Sequence, residues 1–341
     1  MIDLLVFFIG ASLLLYVLLG GSDFGAGIIE LLPAGELRPA QKKAINRAMG
    51  PVWEANHMWL ELVVVILFMG FPPIFTTLMI AMHGPMLALL VGIVVRGAAF
   101  TFRHYDAIQE ERSQRVYTWL FGLSSLWTSL WLGIIAASLN RGLINPDATG
   151  FWPAYVAPWW GIYPVTVGVF VVCIYTFLAA VYLIGETENE ALQRRFRRMA
   201  AVFNALVVVS GGVVLLASLR EKHSLASAFL ASPLNVAIVA GATLLVIVLW
   251  FFAAKRRTLL MRAVAAAQMA SIPLGWYVLY APNAIMTTSG PLRFDLAAAP
   301  EATLRQLVLA LVVGSLFIFP GIFHLLRIFK SRGALRVDGD D

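Results

Sequence analysis

The sequence has few charged residues and almost no cysteine. Asp, Glu, Lys and Arg make up 13% of its 341 residues, against about 25% in a typical soluble domain. The one cysteine, Cys173, excludes a disulfide within the chain. The sequence contains no phosphate-binding loop, nucleophile elbow or dinucleotide fingerprint. Its first residues lack the basic stretch of a cleaved signal peptide, so we expect residues 2–21 to be a retained helix.

Apolar residues make up 60% of the chain and form runs that are long enough to span a bilayer. We predict an all-α integral membrane protein with nine transmembrane helices, arranged as a single polytopic domain over residues 1–341. Pro72 and Pro73 leave almost no loop between the second and third runs, which predicts an antiparallel hairpin there. The nine runs lie near residues 2–32, 52–71, 74–103, 116–139, 161–184, 200–219, 233–254, 259–281 and 303–329.

The positive charges predict an orientation. When the nine segments alternate in direction, 19 of the 25 Lys and Arg residues fall on one side of the membrane. Five fall on the other side, and Arg96 lies within the third segment. Because cytoplasmic loops carry the excess of Lys and Arg, we expect an outside N-terminus and a cytoplasmic C-terminal tail at 330–341. The net charge of +6 then faces anionic lipid and does not indicate a nucleic-acid partner.

Polar residues at membrane depth are concentrated in the first three segments, at residues 2–103. Asp23 lies ~30 Å along the first helix, near the predicted inner boundary of the membrane. It is either a solvated residue at the rim of the membrane or a buried functional group. In the second segment, Glu54, His57 and Glu61 share one helix face at i, i+3 and i+7 spacing. This spacing favours a proton relay, although the helix dipole alone would explain an acid at Glu54.

Glu61 is too far from the helix end for the dipole explanation. Arg96, on the returning third segment, is predicted to lie at about the same depth. An ion pair between Glu61 and Arg96 and a role for Glu61 in the proton relay therefore both stand as hypotheses.

Five histidines are present, and no His-x-x-x-His pair occurs among them. We assign no metal ligand, no cofactor-binding residue and no catalytic residue to the chain.

Four ordered motifs carry a resemblance to a known family. They are GSDFGAG at 21–27, GPVWEANHMW at 50–59, FPP at 71–73 and VRGAAFTFR at 95–103. Together they resemble subunit II of the cytochrome bd quinol oxidases, most closely the shorter branch often called cyanide-insensitive. The resemblance implies two four-helix bundles plus one peripheral helix. It also implies a bacterial inner-membrane respiratory complex with a subunit I that carries haems b and d. That complex oxidises quinol, reduces dioxygen to water and takes protons from the cytoplasm.

The resemblance also implies roles for single residues. Glu54 and Asn56 match the acid and the amide of a motif on the family's proton-entry route, and Asp23 matches a neighbour of that route. Trp59 matches a tryptophan at the entrance of a proposed oxygen channel. Glu61 departs from the family, where this position is apolar. The chain itself is expected to be free of haem.

Further partners follow from the same resemblance. Some members hold a structural quinone in subunit II, but no motif places one in this chain. A small accessory subunit is a further candidate partner, beside membrane lipid and the substrates quinol and dioxygen.

Two other function classes remain open at this point. Helices broken by Pro and Gly with charges at membrane depth also describe a proton-coupled secondary transporter. Transporters usually show matching interruptions in both halves of the chain, whereas here the charges lie in the first three segments. The third class is a structural scaffold for a catalytic partner.

Overall fold

The computed structural model describes residues 1–49, 53–105, 110–221 and 225–334, and it is almost entirely helical. The side chains of Trp53, Glu54 and His104 and several near the C-terminus lie outside the described part. The α-helices are α1 (Ile2–Leu15), α2 (Gly21–Leu31), α3 (Arg38–Met49), α4 (Trp53–Gly70), α5 (Pro72–Ala81), α6 (His83–Tyr105), α7 (Glu111–Ser138), α8 (Phe151–Tyr155), α9 (Ile162–Ile184), α10 (Glu190–Arg220), α11 (Leu225–Ala231), α12 (Pro233–Ala254), α13 (Thr258–Tyr280) and α14 (Glu301–Ala334). A π-helical segment, Tyr16–Gly20, joins α1 to α2, and a 3-10 turn, Gly35–Leu37, precedes α3.

Eight helical segments in the described part are long and apolar enough to cross a membrane. The first of them is the continuous stretch Ile2–Leu31, which consists of α1, the π-helical segment and α2. The count reaches nine if the bent pair formed by α4 and α5 is taken as one span. Long apolar helices of this kind satisfy every backbone polar group internally, as a bilayer requires. The prediction of a multi-pass helical membrane protein is therefore confirmed.

The predicted hairpin at Pro72-Pro73 is wrong in its geometry. Helix α4 ends at Gly70, and Pro72 begins the separate helix α5, which is bent by 119° from α4. A second break follows at Met82, before α6 begins at His83. Pro85 explains this break, because it has no N–H to donate to the carbonyl of Ala81. The third predicted segment, 74–103, is therefore two helices.

The fold also contains a β-hairpin that the all-α prediction missed. Strands β1 (Asn283–Thr287) and β2 (Gly290–Arg293) pair antiparallel between α13 and α14. Ile144, from the loop after α7, forms a parallel bridge with Thr287. Four- and five-residue strands leave little periodic signal in a sequence, so an apolar pattern does not reveal them.

Helix α2 is the most enclosed helix of the fold, since every residue from Gly21 to Glu30 is buried. It packs between α7 and α9, and its glycines allow the backbones to approach closely. A Cβ atom on Gly25 would lie 1.9 Å from the carbonyl oxygen of Tyr175 on α9. One on Gly27 would lie 2.2 Å from the hydroxyl of Ser125 on α7. The glycine-rich motif therefore serves close helix packing.

Replacing Gly25 with alanine is expected to destabilise the fold by about 1–3 kcal/mol or more, because the new methyl group would meet rigid backbone. Gly10→Ala is the matched control, since a Cβ atom there meets nothing within 4 Å. Thermal unfolding of the two purified variants measures the difference. Equal melting temperatures would show that α2 and α9 are not held in the close contact described.

Candidate functional site

A buried ion pair joins the first and third predicted segments. Arg96 Nη2 on α6 lies 2.6 Å from Asp23 Oδ1 on α2, and both side chains are 1% exposed. The Nε of Arg96 donates a hydrogen bond of 3.1 Å to the hydroxyl of Ser125 on α7. Burial of either charge alone would be costly, so the pairing explains how both are accommodated at membrane depth.

A second buried pair repeats this arrangement seven residues further along both helices. Arg103 Nη1 donates to both carboxylate oxygens of Glu30, at 2.9 and 2.8 Å. The Nη2 of Arg103 donates to Asn46 Oδ1 on α3. The two pairs together contain two negative and two positive charges, so the cluster is electrically neutral. We refer to Asp23, Glu30, Arg96 and Arg103 as the charge cluster.

Aromatic rings separate the two pairs and cover them. The ring of Phe121 on α7 lies 4.7 Å from the guanidinium carbon of Arg96 and 4.8 Å from that of Arg103. The ring of Phe24 lies 4.8 Å from the same carbon of Arg96. Such cation–π contacts stabilise an arginine that has been removed from water. The rings therefore help to hold both arginines in position.

The π-helical segment lies directly beside the charge cluster. Within this segment, the carbonyl of Leu19 accepts a 2.8 Å hydrogen bond from the Ser22 hydroxyl. The same carbonyl accepts a 3.5 Å bond from the buried amide of Asn56 on α4. π-Helical turns occur frequently at functional sites. Asn56 thus ties α4 to the first helix at the level of Asp23.

His57 lies beside the same cluster, next to the ring of Phe24. Its ring centroid is 5.9 Å from that of Phe24 and 6.3 Å from that of Tyr16. The hydroxyl of Tyr16, Asp23 Oδ2 and Arg96 Nη1 are buried and have no hydrogen-bond partner among the described residues. Buried polar atoms of this kind normally have a partner, which is often water.

The remaining predicted residues of α4 are placed as follows. The side chain of Trp59 is buried and stacks on Phe319 of α14, with ring centroids 6.1 Å apart. The backbone of Glu54 belongs to the first turn of α4, but its side chain lies outside the described part. Its predicted place in a relay with His57 therefore stays a prediction.

The hypothesis of an ion pair between Glu61 and Arg96 is wrong. Arg96 pairs with Asp23, and Glu61 is exposed on α4. The reason is the break around α5, which interrupts the predicted hairpin. Helix α6 packs against α7, whereas α4 packs against α1, α5 and α14. The two helices therefore do not form the close pair that the hypothesis needed.

Glu30 and Arg103 were not identified as partners from the sequence. A signal was present in the spacing: two acids seven residues apart on one helix and two arginines seven residues apart on another.

Lys42 of α3 lies close enough to Arg103 to feel its charge, and its Nζ is 3.1 Å from Gln114 Oε1. Burial, and then the positive charge of Arg103, lower the pKa of Lys42.

Within the described ranges, no three or more His, Cys, Asp or Glu side chains come close enough to hold a metal ion. The charge cluster and the side chains beside it therefore provide acids, arginines, aromatic rings and the imidazole of His57. Such a set can hold or steer protons, since carboxylates and an imidazole exchange them.

Comparison with known proteins gives a consistent result. The model of the family described as cytochrome bd terminal oxidase subunit II matches residues 1–329. The cytochrome bd ubiquinol oxidase subunit 2 of Bacillus subtilis (strain 168) is 28% identical over 197 residues, which are 56% of each chain. The match thus spans about half the length of that relative.

A solved structure supports the fold. A chain of the bd oxidase from Geobacillus thermodenitrificans matches with a TM-score of 0.71, covering 96% of this chain and 98% of that one, at 20% identity. Identity at this level supports the fold alone. Because the family match extends over nearly the whole chain, the protein belongs to the family of subunit II of the cytochrome bd terminal oxidases.

Proposed function

We propose that the chain is the haem-free subunit of a quinol:dioxygen oxidoreductase and that it guides protons from the cytoplasm toward a haem-bearing subunit I. The observation that supports this most strongly is the family match over residues 1–329. The buried charge cluster supports the role in proton transfer, because it places ionisable groups at membrane depth beside His57.

In this proposal, Glu54 receives protons at the inner rim of α4 and passes them toward His57. The Asp23–Arg96 pair is a fixed neighbour that sets the local field, because its two charged groups are buried and lie 2.6 Å apart. The unpartnered atoms of Asp23 and Tyr16 are positions where water would continue the route. Glu61, further along α4, is exposed, and its membership of the relay stays a prediction.

The haems of subunit I would accept the electrons of quinol and reduce dioxygen. This chain would then contribute protein framework, the proton route and, beside Trp59, an entrance for dioxygen. We further propose nine spans, as two four-helix bundles and a peripheral helix, with the N-terminus outside the bacterial inner membrane. Assignment to the shorter branch, a bound quinone and an accessory subunit stay predictions.

The transporter alternative is not favoured, because the matched family consists of oxidase subunits. A purely structural scaffold makes a different prediction from our proposal. If the chain were only a scaffold, substitution of Glu54 would leave the turnover of the complex unchanged.

Affinity purification of the tagged chain from its native membrane tests the proposal. We expect a haem-bearing subunit to co-purify and the complex to consume oxygen when quinol is added. A stable, colourless chain that purifies alone and shows no quinol-dependent oxygen consumption would contradict it.

A further inference from the structure

Glu61 occupies an unexpected position on α4. Eight residues separate it from Trp53 and nine from Gly70, so it lies near the middle of the helix, about 12 Å from either end. Its side chain is exposed, and so are the apolar residues that surround it on the same face, which are Met58, Val64, Val65 and Phe68.

The opposite face of α4 packs against other helices of the same chain. Trp59, Val63 and Ile66 are buried there, on the side where α4 packs against α1 and α14. Because residues three, four and seven apart share a helix face, Glu61 lies at the centre of the exposed face. We call this face, with its residues 58, 61, 64, 65 and 68, the α4 outer face.

Contact between a carboxylate at this depth and lipid tails would be energetically unfavourable. Ionisable groups within spanning segments usually face protein or a water-filled cavity and pair with a complementary group. Among the described residues, Glu61 forms no salt bridge, and Arg96 is already paired with Asp23. A polar residue within an apolar helix face is also a common means of fixing a helix partner in membranes.

We propose that the α4 outer face docks onto subunit I and that Glu61 pairs there with a Lys, Arg or His side chain of that subunit. The inference rests on the proposed function, which supplies the partner. The pair would be a recognition contact between this chain and its own subunit I.

Substitution of Glu61 with leucine separates this proposal from a face that contacts lipid. If Glu61 faced lipid, leucine would remove an unfavourable charge, and assembly would be unchanged or improved. If Glu61 pairs with a cation of subunit I, leucine leaves that cation without a partner. We expect the subunit I retained through a detergent wash to fall by on the order of tenfold, and by less for Glu61→Gln. Ile247→Ala, at a 66% exposed position of α12, is the control and should change nothing.

Photocrosslinking identifies what covers the face. A photoreactive residue is introduced at position 61 or, as the control, at position 247 of the complete chain in its native membrane. We expect position 61 to crosslink to a subunit I peptide that contains Lys, Arg or His, and position 247 to crosslink to lipid. Crosslinks from position 61 to lipid alone, or unchanged retention of subunit I by Glu61→Leu, would overturn the inference. Failure of the unaltered chain to retain subunit I would instead contradict the proposed function.

Discussion

Asp23→Asn is expected to destabilise the folded chain by about 3–5 kcal/mol. The guanidinium of Arg96, which is 1% exposed, would then keep its positive charge without a counter-ion. An arginine cannot relieve this by losing its proton. Ser125 and the rings of Phe24 and Phe121 would still contact Arg96, but none of them carries a charge. Thermal or denaturant unfolding of the purified complex measures the loss.

A double variant shows whether the loss comes from the pair. Asp23→Asn combined with Arg96→Gln removes both charges, and we expect it to recover most of the lost stability. Arg305→Gln is the control, since its pair with Glu301 is exposed at 76% and 71% and should contribute little. A single variant as stable as the unaltered chain, or a double variant no better than the single one, would contradict the described pair.

Glu54→Gln is expected to slow quinol-driven oxygen consumption by on the order of a hundredfold, while assembly and haem content stay unchanged. Glutamine keeps the shape of the side chain and a favourable hydrogen-bonding group at the start of α4, but it cannot take up and release a proton. Turnover, subunit ratio and haem content of the same preparation are therefore measured together.

The control for this variant is Glu36→Gln, an exposed acid in the turn before α3. Its turnover should match that of the unaltered complex. Glu54→Asp should retain part of the activity, because it keeps an exchangeable proton. If Glu54→Gln assembled normally and turned over at the normal rate, the role of Glu54 in proton entry would be wrong, and the scaffold interpretation would be favoured.

The broad architecture could be predicted from the sequence because it depends on composition over long stretches. A run of ~20 apolar residues is costly to place anywhere but in a bilayer, so the spans follow from hydropathy alone. Asp23 and Arg96 were singled out for the same reason, since charged residues are conspicuous in such runs. The ion-pair partners of Asp23 and Arg96 could not be predicted in this way, because pairing depends on which helices lie beside one another.

The wrong prediction of an ion pair between Glu61 and Arg96 shows what the hydropathy pattern does not reveal. Equal depth and a tight Pro72-Pro73 turn predicted an ion pair with Arg96, but the inserted helix α5 changed the neighbours of both residues. Pro85 was a visible sign of this break. The π-helical turn at Tyr16–Gly20 and the short hairpin at 283–293 have no comparable sign in the sequence, and each contacts residues that are distant in the chain, such as Asn56 and Ile144.

The reduced-minus-oxidised optical spectrum of the affinity-purified complex, recorded before and after its subunits are separated, tests the central claim most directly. We predict haem absorbance in the intact complex that stays with subunit I, leaving this chain without haem. Haem that remained with this chain, or a native preparation without haem, would contradict the account.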